Sequence, residues 1–145
     1  MPAAPADPRA ARLGLVRDAL ATADLDGLLV SSLPSVRWLT GFSGSSGLVL
    51  VTARDLVLLT DFRYATQVEE EVGAAARVII VSQSLWSGLW DLLGTLPTVQ
   101  RVGFESAHLL HRDFQRLLEQ GGRWQWRPTT ELLEPLREAK DETEV

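Results

Sequence analysis

The chain has no cysteine, two histidines, one tyrosine and one methionine among its 145 residues. Without cysteine, disulfides, thiolate nucleophiles and thiolate metal ligands are all excluded. The lack of disulfides suits a reducing compartment, so a cytoplasmic location is expected. Lys140 is the single lysine, the arginines are scattered, and the formal net charge is −5. A nucleic-acid surface needs clustered cations against phosphate, so no nucleic-acid partner is expected. Apolar runs are no longer than a strand, far short of the roughly 20 residues that cross a bilayer. The first twelve residues are rich in proline and alanine and hold no apolar core of signal-peptide length. No membrane partner is expected, and no internal repeat is visible.

Hydrophobic residues make up 46% and charged residues 23%, with five tryptophans to bury, which suits one globular domain. Residues 1–6 read as a loose start. Asp7 and Pro8 are an N-cap and a first helical residue, and Leu13, Val16 and Leu20 recur at helical spacing. Leu28 to Ser31 is a short apolar strand. Pro34 to Leu39 reads as a helical turn, followed by a glycine-serine loop from Gly41 to Gly47. Leu48–Thr52 and Leu56–Thr60 form a hairpin across Ala53-Arg54-Asp55. Arg63–Val72 is a helix ending at Gly73, and Arg77–Val81 is a strand. The helix around Leu85, Trp86, Leu89, Trp90, Leu92 and Leu93 is apolar nearly all round, which predicts deep burial or a second subunit. Val102–Phe104 is a strand. Leu110, Phe114, Leu117 and Leu118 mark the next helix, Trp124–Arg127 a last strand, and Glu131 onward a charged helix. The order predicts an α/β domain over 7–130, with a mixed sheet of about six strands covered by helices on both faces. The final helix carries acidic residues where the macrodipole disfavours them and has no C-cap, as if it continued into a further domain.

The obvious chemical motifs fail on context. Gly41, Gly44 and Gly47 precede a strand, whereas a phosphate cradle joins a strand to a following helix. The serines among them fit no nucleophile elbow. His108 and His111, three apart, would share a helix face, with Glu105 and Asp113 as nearby carboxylates. A zinc site takes three or four ligands, and two surface histidines is the simpler reading. No His-Glu-x-x-His and no carboxylate set for a metal-bound water is present, so the chain itself is expected to be inactive.

Four stretches, in order, resemble the N-terminal domain of the creatinase/prolidase/aminopeptidase P family. They are Val36-Arg37-Trp38-Leu39-Thr40-Gly41-Phe42-Ser43-Gly44-Ser45, Leu59-Thr60-Asp61-Phe62-Arg63-Tyr64-Ala65-Thr66-Gln67, Val102-Gly103-Phe104-Glu105, and Leu136 to Val145. The last is similar to the linker helix that opens a catalytic domain, so 131–145 is expected to begin that linker. Trp38, Ser35 and Asp141 stand where the family commonly has Tyr, Asn, and Ser or Thr.

The resemblance implies a ribonuclease H-like fold, followed in the parent protein by a C-terminal catalytic domain with two divalent metal ions (Mn, Co or Zn). Such a site hydrolyses proline-containing peptides at the bond before proline. It also implies a homodimer in which this domain roofs an active site, often the partner's. No metal or catalytic residue is carried onto this chain. Candidate substrate contacts are Trp38, Phe42, Ser43, Arg63 and Tyr64. A loop with an exposed aromatic suits a rim that meets substrate, and Arg63 could hold a carboxylate in two-pronged fashion. Packing is the alternative: Asp61 and Arg63 bracing a turn, Phe62 and Tyr64 in the core. Trp86 and Trp90, four apart on one helix, read as core or interface. A stand-alone peptide- or protein-binding module and a creatine amidinohydrolase domain share the pattern.

Overall fold

The computed structural model describes residues 7–138. The expectations for residues 1–6 and for the last part of the linker lie outside that range. Helix α1 (Pro8–Thr22) is capped by Asp7, whose side chain accepts from the Arg9 amide, with Pro8 in the first turn. It leads to β1 (Gly27–Val30) and α2 (Leu33–Thr40). The hairpin β2 (Leu48–Thr52) and β3 (Leu56–Asp61) follows. A 3-10 turn over Phe62–Tyr64 then passes into α3 (Ala65–Glu71). The remainder alternates: β4 (Arg77–Val81), α4 (Leu85–Gly94), β5 (Arg101–Glu105), α5 (His111–Gln120), β6 (Gln125–Thr129) and a short α6 (Glu134–Glu138).

The six strands form one mixed sheet in the order β4-β3-β2-β1-β5-β6. Only β2 runs antiparallel to its neighbours; the other pairings, β3–β4, β1–β5 and β5–β6, are parallel. Strand side chains alternate between faces, and here both faces are covered. Leu28, Val30, Val49, Val51 and Leu58 point to α1, α2 and α3. Leu29, Leu48, Leu50, Val57 and Leu59 point to α4 and α5. A strand buried on both faces has no polar alternation, which is why Leu48–Thr52 and Leu56–Thr60 read as continuous apolar runs.

Several expectations need correction. Helix α4 buries one side, through Leu89, Leu92 and Leu93, while Trp86 and Trp90 are half-buried. Trp90 stacks on Trp124 at 5.8 Å and meets Trp126 edge-on at 5.9 Å, so the tryptophans tie α4 to β6. In α5, Leu117 is fully buried but Leu118 is exposed, because one helix packing on one sheet face buries a narrower stripe than the spacing offered. Leu110 caps that helix and lies outside the core. The last helix starts at Glu134 rather than Glu131, which adopts a positive φ of 55°.

Candidate functional site

The carboxyl ends of β1, β3 and β5 lie at one end of the sheet, since these three strands run in the same direction. In α/β folds this is the end where ligands are bound. The glycine-serine loop 41–47, the Asp61–Tyr64 turn and Glu105 meet there.

The loop begins where α2 stops. Gly41 ends the helix with φ 83°, a left-handed conformation, and a Cβ there would stand 2.8 Å from the Glu71 carbonyl oxygen. Arg9 closes the same junction from α1, donating through Nη1 to the Thr40 carbonyl (2.8 Å) and the Glu71 carbonyl (2.9 Å). Helix α3 then holds the loop. Glu71 accepts from the Ser43 amide (3.0 Å) and hydroxyl (2.6 Å), and Gln67 donates to Ser43 Oγ (3.1 Å) and Glu71 Oε1 (2.9 Å). These contacts, led by the Ser43 hydroxyl, hold the Glu71 carboxyl below its ordinary range. Tyr64 shares a 2.6 Å hydrogen bond with the Ser45 hydroxyl, which lowers the phenol's pKa. Its ring meets Phe42 edge-on at 5.3 Å.

Phe42 is 1% exposed and Trp38 8% exposed, which corrects the expectation of an exposed aromatic on the rim. Phe42 folds back beneath the loop, so close to Gly44 that a Cβ there would lie 2.2 Å from the ring. Trp38 packs in the core under Arg12, whose guanidinium lies 5.5 Å from the indole centroid. Among the described residues its buried Nε1 has no hydrogen-bond partner. Trp38, Phe42 and Ser43 nonetheless line a cleft of about 730 Å³ together with Arg12, Arg37 and Gly44.

Asp61 caps the 3-10 turn. It accepts from the Arg63 amide (3.1 Å) and pairs with the Arg63 guanidinium through two contacts of 2.8 and 2.9 Å. The guanidinium lowers the Asp61 carboxyl to about 2 and is itself raised. Arg63 also lies 5.3 Å from the Tyr64 ring centroid. Arg63 therefore does brace the turn, yet its side chain is 62% exposed. Phe62, offered as a core residue, is instead 74% exposed, because the 3-10 turn directs it away from both faces of the sheet.

Glu105, at the end of β5, is 4% exposed. Its Oε1 accepts from the Ser31 and Ser32 amides, each at 2.9 Å, and its Oε2 accepts from the Ser32 and Ser35 hydroxyls at 3.0 and 3.1 Å. Four donors use the acceptor capacity of a carboxylate, so Glu105 fixes the β1–α2 junction and with it the start of the loop-bearing helix. His108 lies in the turn before α5, not on it, so His108 and His111 share no helix face. The partner of His108 is Glu134, at 2.9 Å, rather than Asp113. Ligand atoms of Glu105, His108 and Glu134 fall within 4.8 Å of one another. With Glu105 committed to four donors, this trio does not fit a two-metal centre.

Of the five expected contact residues, the structure brings Phe42, Ser43 and Tyr64 to the loop, joins Arg63 to Tyr64, and buries Trp38 beneath. Arg9, Glu71 and Glu134 were not foreseen. Gln67 and Glu71, four apart on a helix, are a local signal; the reach of Arg9 across 62 positions has none.

Sequence and structure agree on the family. Residues 12–139 match the family described as the Creatinase/Prolidase N-terminal domain, and the chain belongs to it. It is 28% identical over 134 residues to the uncharacterized peptidase YqhT of Bacillus subtilis, covering 92% of this chain and 37% of that protein. Among solved structures, it resembles the N-terminal domain of the cytoplasmic peptidase PepQ from Mycobacterium tuberculosis, at 33% identity and a TM-score of 0.78. That match covers 87% of this chain and 98% of the other. The Xaa-Pro dipeptidase from Bacillus anthracis shares the fold, with a TM-score of 0.86 at 24% identity, covering 93% of this chain and 37% of that one. The chain thus spans little more than a third of the length of these two Bacillus relatives.

Proposed function

We propose that this chain is the non-catalytic N-terminal domain of an Xaa-Pro dipeptidase or aminopeptidase. On this reading it aids dimerisation and roofs a two-metal site that hydrolyses peptides with proline in second position. The supporting observation is the family membership together with the loop 41–47, which three elements hold at the ligand-binding end of the sheet. A roof over a reacting peptide has to be rigid, because misplacement of about an ångström costs large factors in rate. The hydrogen bonds from Tyr64, Gln67 and Glu71 supply that rigidity. Arg63, largely exposed beside the loop, presents a guanidinium to a peptide carboxylate, and Phe62 next to it presents an apolar ring. The metals would be held by a C-terminal catalytic domain, since the described residues offer no fitting ligand set. Location in the cytoplasm accords with the PepQ relative; among the described residues no helix is long and apolar enough to cross a membrane.

The test compares hydrolysis of Xaa-Pro dipeptides and tripeptides, with added manganese, by this chain and by the longer protein expected from the same gene. Activity in the longer protein alone is the expected result. Activity in neither would refute the peptidase reading, and activity in the 145-residue chain would refute the accessory role.

A further inference from the structure

The chain carries a net charge of −5, yet the cleft of about 730 Å³ beside α2 is lined by two arginines and by no described acid. Its volume lies in the range of small-ligand sites. Trp38, Phe42, Leu33 and Pro34 give it an apolar lining, and Leu33 is 43% exposed. Arg12 donates from Nη1 to the Trp38 carbonyl (3.0 Å) and lies over the indole. Arg37, in the last turn of α2, is exposed, and its guanidinium makes no hydrogen bond or ion pair with another described residue. Its charge reaches the Glu71 carboxyl, but that group already accepts from Ser43 and Gln67.

A second observation points to a missing acceptor. Trp38 is 8% exposed, and its indole Nε1 has no partner among the described residues. A buried N–H without an acceptor carries a free-energy cost that an incoming oxygen removes. An unpaired guanidinium, an orphaned N–H and an apolar lining fit an anion with an apolar body. Among anions, a planar carboxylate matches the guanidinium with two parallel hydrogen bonds.

We propose that this cleft binds the free C-terminal carboxylate of a peptide that ends in an apolar residue. Arg37 takes the carboxylate, Trp38 Nε1 donates to one of its oxygens, and the terminal side chain lies against Leu33 and Pro34. Arg63 and Phe62, which meet the substrate on the peptidase reading, are not among the lining residues. The inference therefore goes beyond that reading, and it needs no catalytic domain.

Heteronuclear NMR of the 145-residue chain, followed at the Trp38 indole signal, tests it. The probes are N-acetyl-leucyl-phenylalanine, its C-terminal amide and inorganic phosphate. The free acid is expected to shift that signal saturably, together with the backbone signals of Arg37 and Gly44. The amide form should bind about tenfold more weakly or worse, since it loses the charge-assisted bonds. Arg37→Gln, at an exposed position, should weaken the acid by a similar factor and leave the amide form unaffected. No saturable shift up to about 10 mM acid would overturn the proposal. So would equal binding of acid and amide, phosphate binding as tight as the acid, indifference to Arg37→Gln, or shifts confined to Phe62 and Arg63. Hydrolysis by the longer protein is a separate measurement, and neither result decides the other.

Discussion

Replacing Glu105 with alanine should cost this domain a large part of its stability. The carboxylate is 4% exposed and accepts four hydrogen bonds, two from backbone amides and two from serine hydroxyls. Truncation leaves those donors without an acceptor where water has little access. Each hydrogen bond to a charged group contributes about 1.5–3 kcal/mol, but losses within one network are not additive. The hydroxyls can turn to other acceptors, whereas the Ser31 and Ser32 amides cannot. About 3–5 kcal/mol is the expected total, against the roughly 5–15 kcal/mol that keeps a domain folded. For a chain of this size that lowers the melting temperature by about 10–15 °C. Glu105→Gln keeps a carbonyl that accepts from the two amides and offers an NH2 group that donates to the serine hydroxyls. It should cost about 1–2 kcal/mol, the loss of charge assistance alone. Thermal melts followed by circular dichroism measure both variants. A melting temperature lowered by less than about 3 °C in the alanine variant, or equal effects of the two substitutions, would refute the assignment of Glu105 as the anchor of α2.

Other outcomes follow from the same geometry. Gly41→Ala should destabilise by about 2–3 kcal/mol, combining a left-handed backbone with a clash at the Glu71 carbonyl, measured by denaturant unfolding. Glu71→Gln should speed hydrogen exchange at the Ser43 amide while sparing amides of β1 and β2; unchanged exchange would remove Glu71 as the loop anchor. Because the Glu71 carboxyl is held below its ordinary value, its contribution is complete above about pH 4.5 and fades as pH falls toward its lower folded value. Protection of the Ser43 amide, taken relative to its intrinsic exchange rate at each pH, should therefore fall on acidification in the parent chain and not in Glu71→Gln. In the longer protein, Arg63→Ala should raise KM with the melting temperature unchanged, since its ion pair with Asp61 is exposed; a fall in melting temperature with KM intact would make Arg63 a bracing residue only.

Local signals in the sequence carried the elements well. Asp7-Pro8 marks the start of α1 because capping is a matter of neighbouring residues, and the hairpin at Ala53-Arg54-Asp55 is punctuated in the same way. The strands are legible because burial on both faces demands unbroken apolar runs. Burial around the site was harder to read. Trp38 lies beside a loop that reads as exposed, and it is buried because Arg12, from another helix, covers it. Phe62 and Tyr64 flank the same arginine, and only the 3-10 geometry decides which one faces solvent. Glu105 was noticed as a possible metal ligand, whereas its partners lie 70 to 74 positions earlier. His108 finds Glu134, 26 positions on, whereas the sequence offered only Glu105 and Asp113 as nearby carboxylates.

The parallel pairing of β1 with β5 bears on how the chain is made. β1 has its first neighbour, β2, as soon as Thr52 has been synthesised, but its other edge waits for residues 102–104. During that interval the nascent β4-β3-β2-β1 sheet has Leu28-Leu29-Val30 along its open side, a strand that is buried throughout in the finished domain. Long-range parallel pairing forms slowly and leaves such edges available to wrong partners. A stop codon placed between β4 and β5 should therefore yield an insoluble product, and chaperone dependence in the cell should be concentrated in the synthesis of those nineteen intervening residues.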